Sequence, residues 1–68
     1  MRRFEFSEGT SDKFWEIGVD GNRVTVRFGR NGTSGQAMTK SFPDDGAAAK
    51  HADRLIGQKT GKGYVEVK

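Results

Sequence analysis

Lys13-Phe14-Trp15-Glu16-Ile17-Gly18-Val19-Asp20-Gly21-Asn22-Arg23-Val24-Thr25-Val26-Arg27-Phe28 is two alternating apolar/polar runs joined by a turn signal, and it decides the fold. Asp20-Gly21-Asn22 is the strongest hairpin signal in the chain. A two-residue loop pairs odd positions of one strand with even positions of the next, whether the loop is Asp20-Gly21 or Gly21-Asn22. Trp15, Ile17 and Val19 therefore share a sheet face with Val24, Val26 and Phe28. Phe14, Glu16, Arg23, Thr25 and Arg27 share the other. One face is apolar and makes the core; the opposite one is basic with a single aromatic.

Before the hairpin, Arg3 to Ser7 reads as a strand with Phe4 and Phe6 in phase, ended by the turn cluster Glu8 to Asp12. Beyond the hairpin, a glycine-spaced turn over Gly29 to Gly35 leads into a weaker strand, Gln36 to Phe42, with Met38 and Phe42 in phase. The pattern then changes period. Asp44 suits an N-cap, and Ala48, Ala52, Leu55 and Ile56 follow the spacing of a buried helical stripe. Gly57 should weaken the last turn or pack tightly against something, and Gly61 and Gly63 mark the stop. Tyr64 to Val67 reads as a final edge strand. The expected class is α+β: a small, mostly antiparallel sheet of about five strands with one helix packed on one face.

The 68 residues leave room for one domain, 1–68. Cysteine is absent, which removes disulfides, thiolate metal sites and thiol catalysis. Met1-Arg2-Arg3 is followed by Phe4-Glu5-Phe6-Ser7-Glu8, where an export signal would need an apolar stretch, and nothing approaches the roughly 18 apolar residues of a membrane span. A soluble, cytoplasmic protein is the expectation. His51 is the lone histidine and lies beside the helical stripe, so a packed or solvent-facing ring is expected. Capping accounts for Asp44 and Asp45, and no metal-ligand spacing or nucleophile motif is present. Neither catalysis, a cofactor nor a small-molecule substrate is expected.

The net charge of +3 is unevenly distributed. Residues 1–22 carry −2 and 42–49 carry −2, whereas 23–41 hold Arg23, Arg27, Arg30 and Lys40 with no carboxylate and 50–68 carry +3. An alternating strand running into a glycine-spaced basic loop suits an anion such as a nucleic-acid backbone. Gly29, Gly32 and Gly35 either let backbone amides approach an anion or supply positive φ for a tight connection. They match neither the dinucleotide fingerprint nor a Walker loop. Arg30 is either a phosphate fork in a glycine-flanked turn or a solvated loop arginine. Phe28 can pack, contact ligand, or do both. Lys59 reads as complementing the helix dipole. Arg23 and Arg27 either join Phe14 in binding a strand by charge and stacking, or pair with Glu16 across the sheet.

Ser11-Asp12-Lys13-Phe14-Trp15-Glu16, Val24-Thr25-Val26-Arg27-Phe28-Gly29-Arg30, Gly32-Thr33, Gly35-Gln36, Lys40, Phe42, Ala47 and Lys62-Gly63-Tyr64-Val65-Glu66, in that order, resemble the WGR domain family, named for a Trp-Gly-Arg signature. The resemblance implies a small antiparallel sheet with one helix and a role in nucleic-acid binding. In DNA-damage-responsive poly(ADP-ribose) polymerases such a domain helps engage DNA ends and relays that contact to neighbouring domains. Phe28, Gly29 and Arg30 occupy the signature here, with phenylalanine for tryptophan, and Asn31 stands where the family more often has a branched apolar residue. Phenylalanine keeps a stacking face but loses area and the indole donor.

The reading is a non-catalytic module that binds nucleic acid, DNA before RNA, mainly through phosphate. Arg30 is its anchor, Phe28 its stacking group, Gly29 and Asn31 its loop neighbours, and Arg27, Lys40 and Lys62 its supporting charge. Ends or single strands are possible targets. A protein-interaction or regulatory module, docking by an edge strand or basic face, is the alternative, and a chain whose site has decayed is a third.

Overall fold

A computed structural model describes residues 1–67. Among them the elements run β1 (Arg2–Glu8), β2 (Ser11–Asp20), β3 (Arg23–Arg30), β4 (Gln36–Ser41), α1 (Asp45–Gly61) and β5 (Val65–Val67). The five strands form one antiparallel sheet in the order β4-β3-β2-β1-β5. The first four make a meander, and α1 carries the chain back across the sheet to the far side of β1. The expected α+β class and the terminal edge strand are both present.

The hairpin closes on Gly21-Asn22, with Asp20 opposite Arg23, Val19 opposite Val24 and Trp15 opposite Phe28. Gly21 has φ +60 and Asn22 is not among the positive-φ residues, the pattern of a II′ turn. Gly9 repeats it at φ +59 between Glu8 and Ser11, so the connection expected over five residues needs only two and both flanking strands are longer. Asn22 also pins the end of β4: its Nδ2 donates to the Phe42 carbonyl at 2.7 Å, and the Phe42 amide donates to its carbonyl at 2.8 Å.

Three consecutive alanines and a capped start make α1. Asp44 Oδ1 accepts from the Ala47 amide at 2.7 Å, and Asp45 adds negative charge to the first turn. Ala48 and Ala52 are buried and small, so the helix axis sits close over Phe4, Trp15, Ile17 and Val24, with Leu55 and Ile56 half-buried beside them. The Phe4 and Trp15 rings meet at 5.5 Å and 52°. Each fully buried large side chain contributes about 1.5–3 kcal/mol, which makes this cluster the main source of stability. Gly63, at φ +106, turns the chain out of the helix into β5.

The helix covers only the middle of the apolar face. Val19 is 48% exposed and Phe28 37% exposed, so the two ends of the expected core stripe are open rather than packed. Of the two alternatives for Gly57 the structure leaves the weakened turn, because a Cβ there would meet nothing within 4 Å. With no contact requiring glycine, Gly57→Ala should raise stability by about 1 kcal/mol, read as a higher thermal midpoint by calorimetry; a loss of stability would show that the last turn needs backbone freedom.

Candidate nucleic-acid interface

The strand β3 extends through Gly29 and Arg30, so Arg30 is the last residue of a strand and not part of a glycine-flanked turn. Its register partner is Lys13, and both lie on the helix side of the sheet with Trp15 and Phe28. The C-terminal half of α1 approaches this end and leaves an open cleft of about 700 Å³ whose walls include Lys13, Phe28, Arg30, Lys59 and Tyr64. A smaller hollow, between Phe6, Lys13, Lys59, Lys62 and Tyr64, continues from it. Four cations from three elements and the helix-to-β5 turn thus meet on one ledge.

None of Lys13, Arg30, Lys59 and Lys62 makes an ion pair among the described residues. Asp12 lines the cleft as well, but its Oδ1 accepts a 2.6 Å hydrogen bond from Asn31 Nδ2. Lys59 lies 5.7 Å from the Trp15 ring centre and 5.3 Å from that of Tyr64, so its stem and ammonium sit over aromatic surface. Desolvation first, and then the charges of Lys62 and Lys13, hold its pKa below the ordinary lysine value. A lysine depressed in this way costs the folded state stability while it is protonated at neutral pH, and the cost fades as pH rises through the folded pKa. Lys59→Gln should therefore leave the fold at least as stable at neutral pH, measured by denaturant titration. A large destabilisation would assign Lys59 to the core instead.

The glycines have a steric cause. A Cβ on Gly29 would stand 2.8 Å from the Gly35 Cα, because the returning chain crosses directly over it. Gly35, at φ +70, would place a Cβ 2.4 Å from the Phe28 carbonyl oxygen and 2.8 Å from Phe14 Cζ. Gly32, at φ +90, has open space around it and needs only its backbone freedom. Positive φ and close crossing, both within the protein, account for all three positions.

On the other face Phe14 is 2% exposed, walled by Gly35 and by the Arg3 guanidinium, whose carbon lies 4.5 Å from the ring centre. Arg3 donates to Glu5 at 3.0 Å, to Glu16 at 3.1 Å and to Asn31 Oδ1 at 2.9 Å. Phe14 is thus closed to stacking, and Glu16 is paired with Arg3 rather than with Arg27. Asn31 is committed as well, since its amide N–H donates to the Asp12 carbonyl at 2.9 Å.

The structure brings together Phe28, Gly29, Arg30 and Lys62 of the residues expected to act jointly, and it separates two others. Arg27 lies opposite Glu16 and Ala37, on the face away from Arg30, because it is odd-numbered where Phe28 and Arg30 are even. Lys40 lies opposite Val24, at the far end of β3, with its Nζ 5.4 Å from the Phe42 ring centre. Lys13 and Lys59 take their places. Lys13 was open to sequence reasoning: the hairpin register that pairs Trp15 with Phe28 also pairs Lys13 with Arg30. Lys59 was masked by its position in the last helical turn, where a dipole role suffices.

The model of the WGR domain family matches residues 1–68. Protein YehF of Escherichia coli is 44% identical over 66 residues, 97% of this chain and 24% of that protein. The uncharacterized protein YfeS of the same organism is 37% identical over 65 residues, 96% of this chain and 27% of its own. The chain therefore spans about a quarter of the length of these curated relatives. A Bacteroides fragilis protein of known crystal structure superposes with a TM-score of 0.97 at 48% identity, covering 98% of this chain and 19% of that one. A likeness that runs from the first strand through the last, with the Phe28-Gly29-Arg30 segment at the cleft, makes this chain a member of the WGR domain family, a non-catalytic binding-type family known for nucleic-acid binding.

Proposed function

We propose that this domain binds nucleic acid, DNA before RNA, by taking backbone phosphates into the cleft between β3 and the end of α1. The observation that carries the reading is the convergence of Arg30, Lys13, Lys59 and Lys62, all without ion-pair partners among the described residues, on one open ledge. Arg30 supplies a planar fork for phosphate oxygens and the lysines supply point charges. Phe28 presents part of its ring to the same cleft and offers a stacking surface. Phosphate contacts position a ligand without reading bases, so sequence preference should be weak. The preference for DNA rests on the family.

Neutralising three to five phosphates predicts a log-log salt slope of about −3 to −4.5 on duplex DNA, measured by fluorescence anisotropy across a salt series. Lys59→Gln should reduce the slope by about 0.9, the share of one phosphate. Because a bound phosphate favours the protonated form of Lys59, affinity should also fall as pH rises into the alkaline range. A slope near zero would reject the phosphate mechanism.

A further inference from the structure

Arg23, Arg27 and Lys40, which the cleft leaves out, lie beside the free edge of β4. β4 is the outermost strand on its side, all six of its residues are exposed, and its partner β3 occupies only one of its two edges. Gln36-Ala37-Met38-Thr39-Lys40-Ser41 contains no proline and no positive-φ residue, and its register with β3 runs unbroken from Gln36 to Ser41. Such an edge ends in free N–H and C=O groups over about 20 Å, a template for one more strand. The other edge, β5, is three residues long.

Arg23 and Arg27 lie on one face of β3, directly behind Ser41 and Ala37 of β4. Both intervening residues are small, so each guanidinium has room to lean across β4 to the open edge. The two arginines are four residues apart on a strand, about 13 Å, which matches carboxylates at i and i+4 of an added strand. Lys40 serves the other face of the same edge. No carboxylate occurs between Arg23 and Ser41, and none of the three cations makes an ion pair among the described residues. A second copy docking here would set these cations against themselves, whereas an acidic strand would pair with them. Nucleic acid supplies the charge but cannot extend a backbone ladder.

We propose that the free edge of β4 is a docking site for an extended acidic peptide segment of a partner protein, held by added-strand hydrogen bonds and by Arg23, Arg27 and Lys40. This site is separate from the phosphate cleft.

The test uses the whole chain with a labelled, acetylated eight-residue peptide alternating glutamate and threonine. Binding at least tenfold tighter than that of the lysine-for-glutamate analogue is expected. Alternate amides of β4 should gain hydrogen-exchange protection, and the double variant Arg23→Gln with Arg27→Gln should weaken binding at least tenfold. Peptides N-methylated at every second residue, in both phases, keep the charges; at least one phase should lose binding. Undiminished binding of both methylated forms, or protection at Lys13, Arg30 and Lys59 in place of β4, would overturn the proposal. So would protection of β4 in a peptide-free dimer seen by sedimentation, which would give the edge to a second copy. Arg30→Glu, which should weaken duplex binding about 10- to 100-fold, should leave peptide binding unchanged, so failure of either site is read independently of the other.

Discussion

Gly35→Ala is expected to cost about 2–5 kcal/mol, a large share of the stability of a domain this small. The alanine must hold φ +70, which costs an L-residue about 1–2 kcal/mol. Its Cβ must also displace the Phe28 carbonyl at 2.4 Å and the Phe14 ring at 2.8 Å, and forced repacking of this kind costs about 1–3 kcal/mol. At about 0.05–0.15 kcal/mol per residue, a domain of 68 residues has about 3–10 kcal/mol in total, so the loss takes a large share of it. Gly32→Ala is the control: it meets the same backbone constraint at φ +90 with nothing within 4 Å, so only the conformational part should appear. Urea unfolding of the two variants checks this. Equal losses would mean that the crossing of the Gly35 chain over Gly29 and Phe14 is not tight in solution.

Arg30→Glu carries the other large effect. The change removes one cation and places a carboxylate beside Lys13, its cross-strand neighbour, within the ledge assigned to phosphate. A loss of about 10- to 100-fold in duplex affinity at low salt is expected, the size of one or two charge-assisted contacts. Arg30 is exposed and at a strand end, so thermal stability should change little. Arg27→Glu is the matched control, since it changes charge equally on the opposite face. A similar loss for both variants would mean that net charge, not the cleft, governs binding.

The fold was legible because one hairpin constrains so much. Asp20-Gly21-Asn22 and the alternation on either side determined which residues face the helix, and the N-cap and alanine spacing placed α1. The extent of coverage was not legible. Whether Val19 and Phe28 are buried depends on where a single helix lands on the sheet, which no local pattern encodes. The site was half legible. The same parity that put Arg27 on the basic face excludes it from any surface shared with Phe28 and Arg30, and it points to Lys13 instead. The burial of Phe14 was hidden, because it needs Arg3 from β1 and Gly35 from the turn after β3 to close over one ring. Arg3 is spent in that enclosure, which explains why a residue in a basic N-terminal run adds nothing to the ledge.

Entry of phosphate between β3 and the end of α1 is read out by amide and side-chain chemical shifts during titration with a short blunt duplex. Lys13, Arg30, Lys59 and Lys62 should move together along one saturation curve, with Phe28 ring signals following, while Arg23, Arg27 and Lys40 stay in place. Shifts confined to Arg23, Arg27 and Thr39, or four ledge residues that remain still as DNA is added, would contradict it.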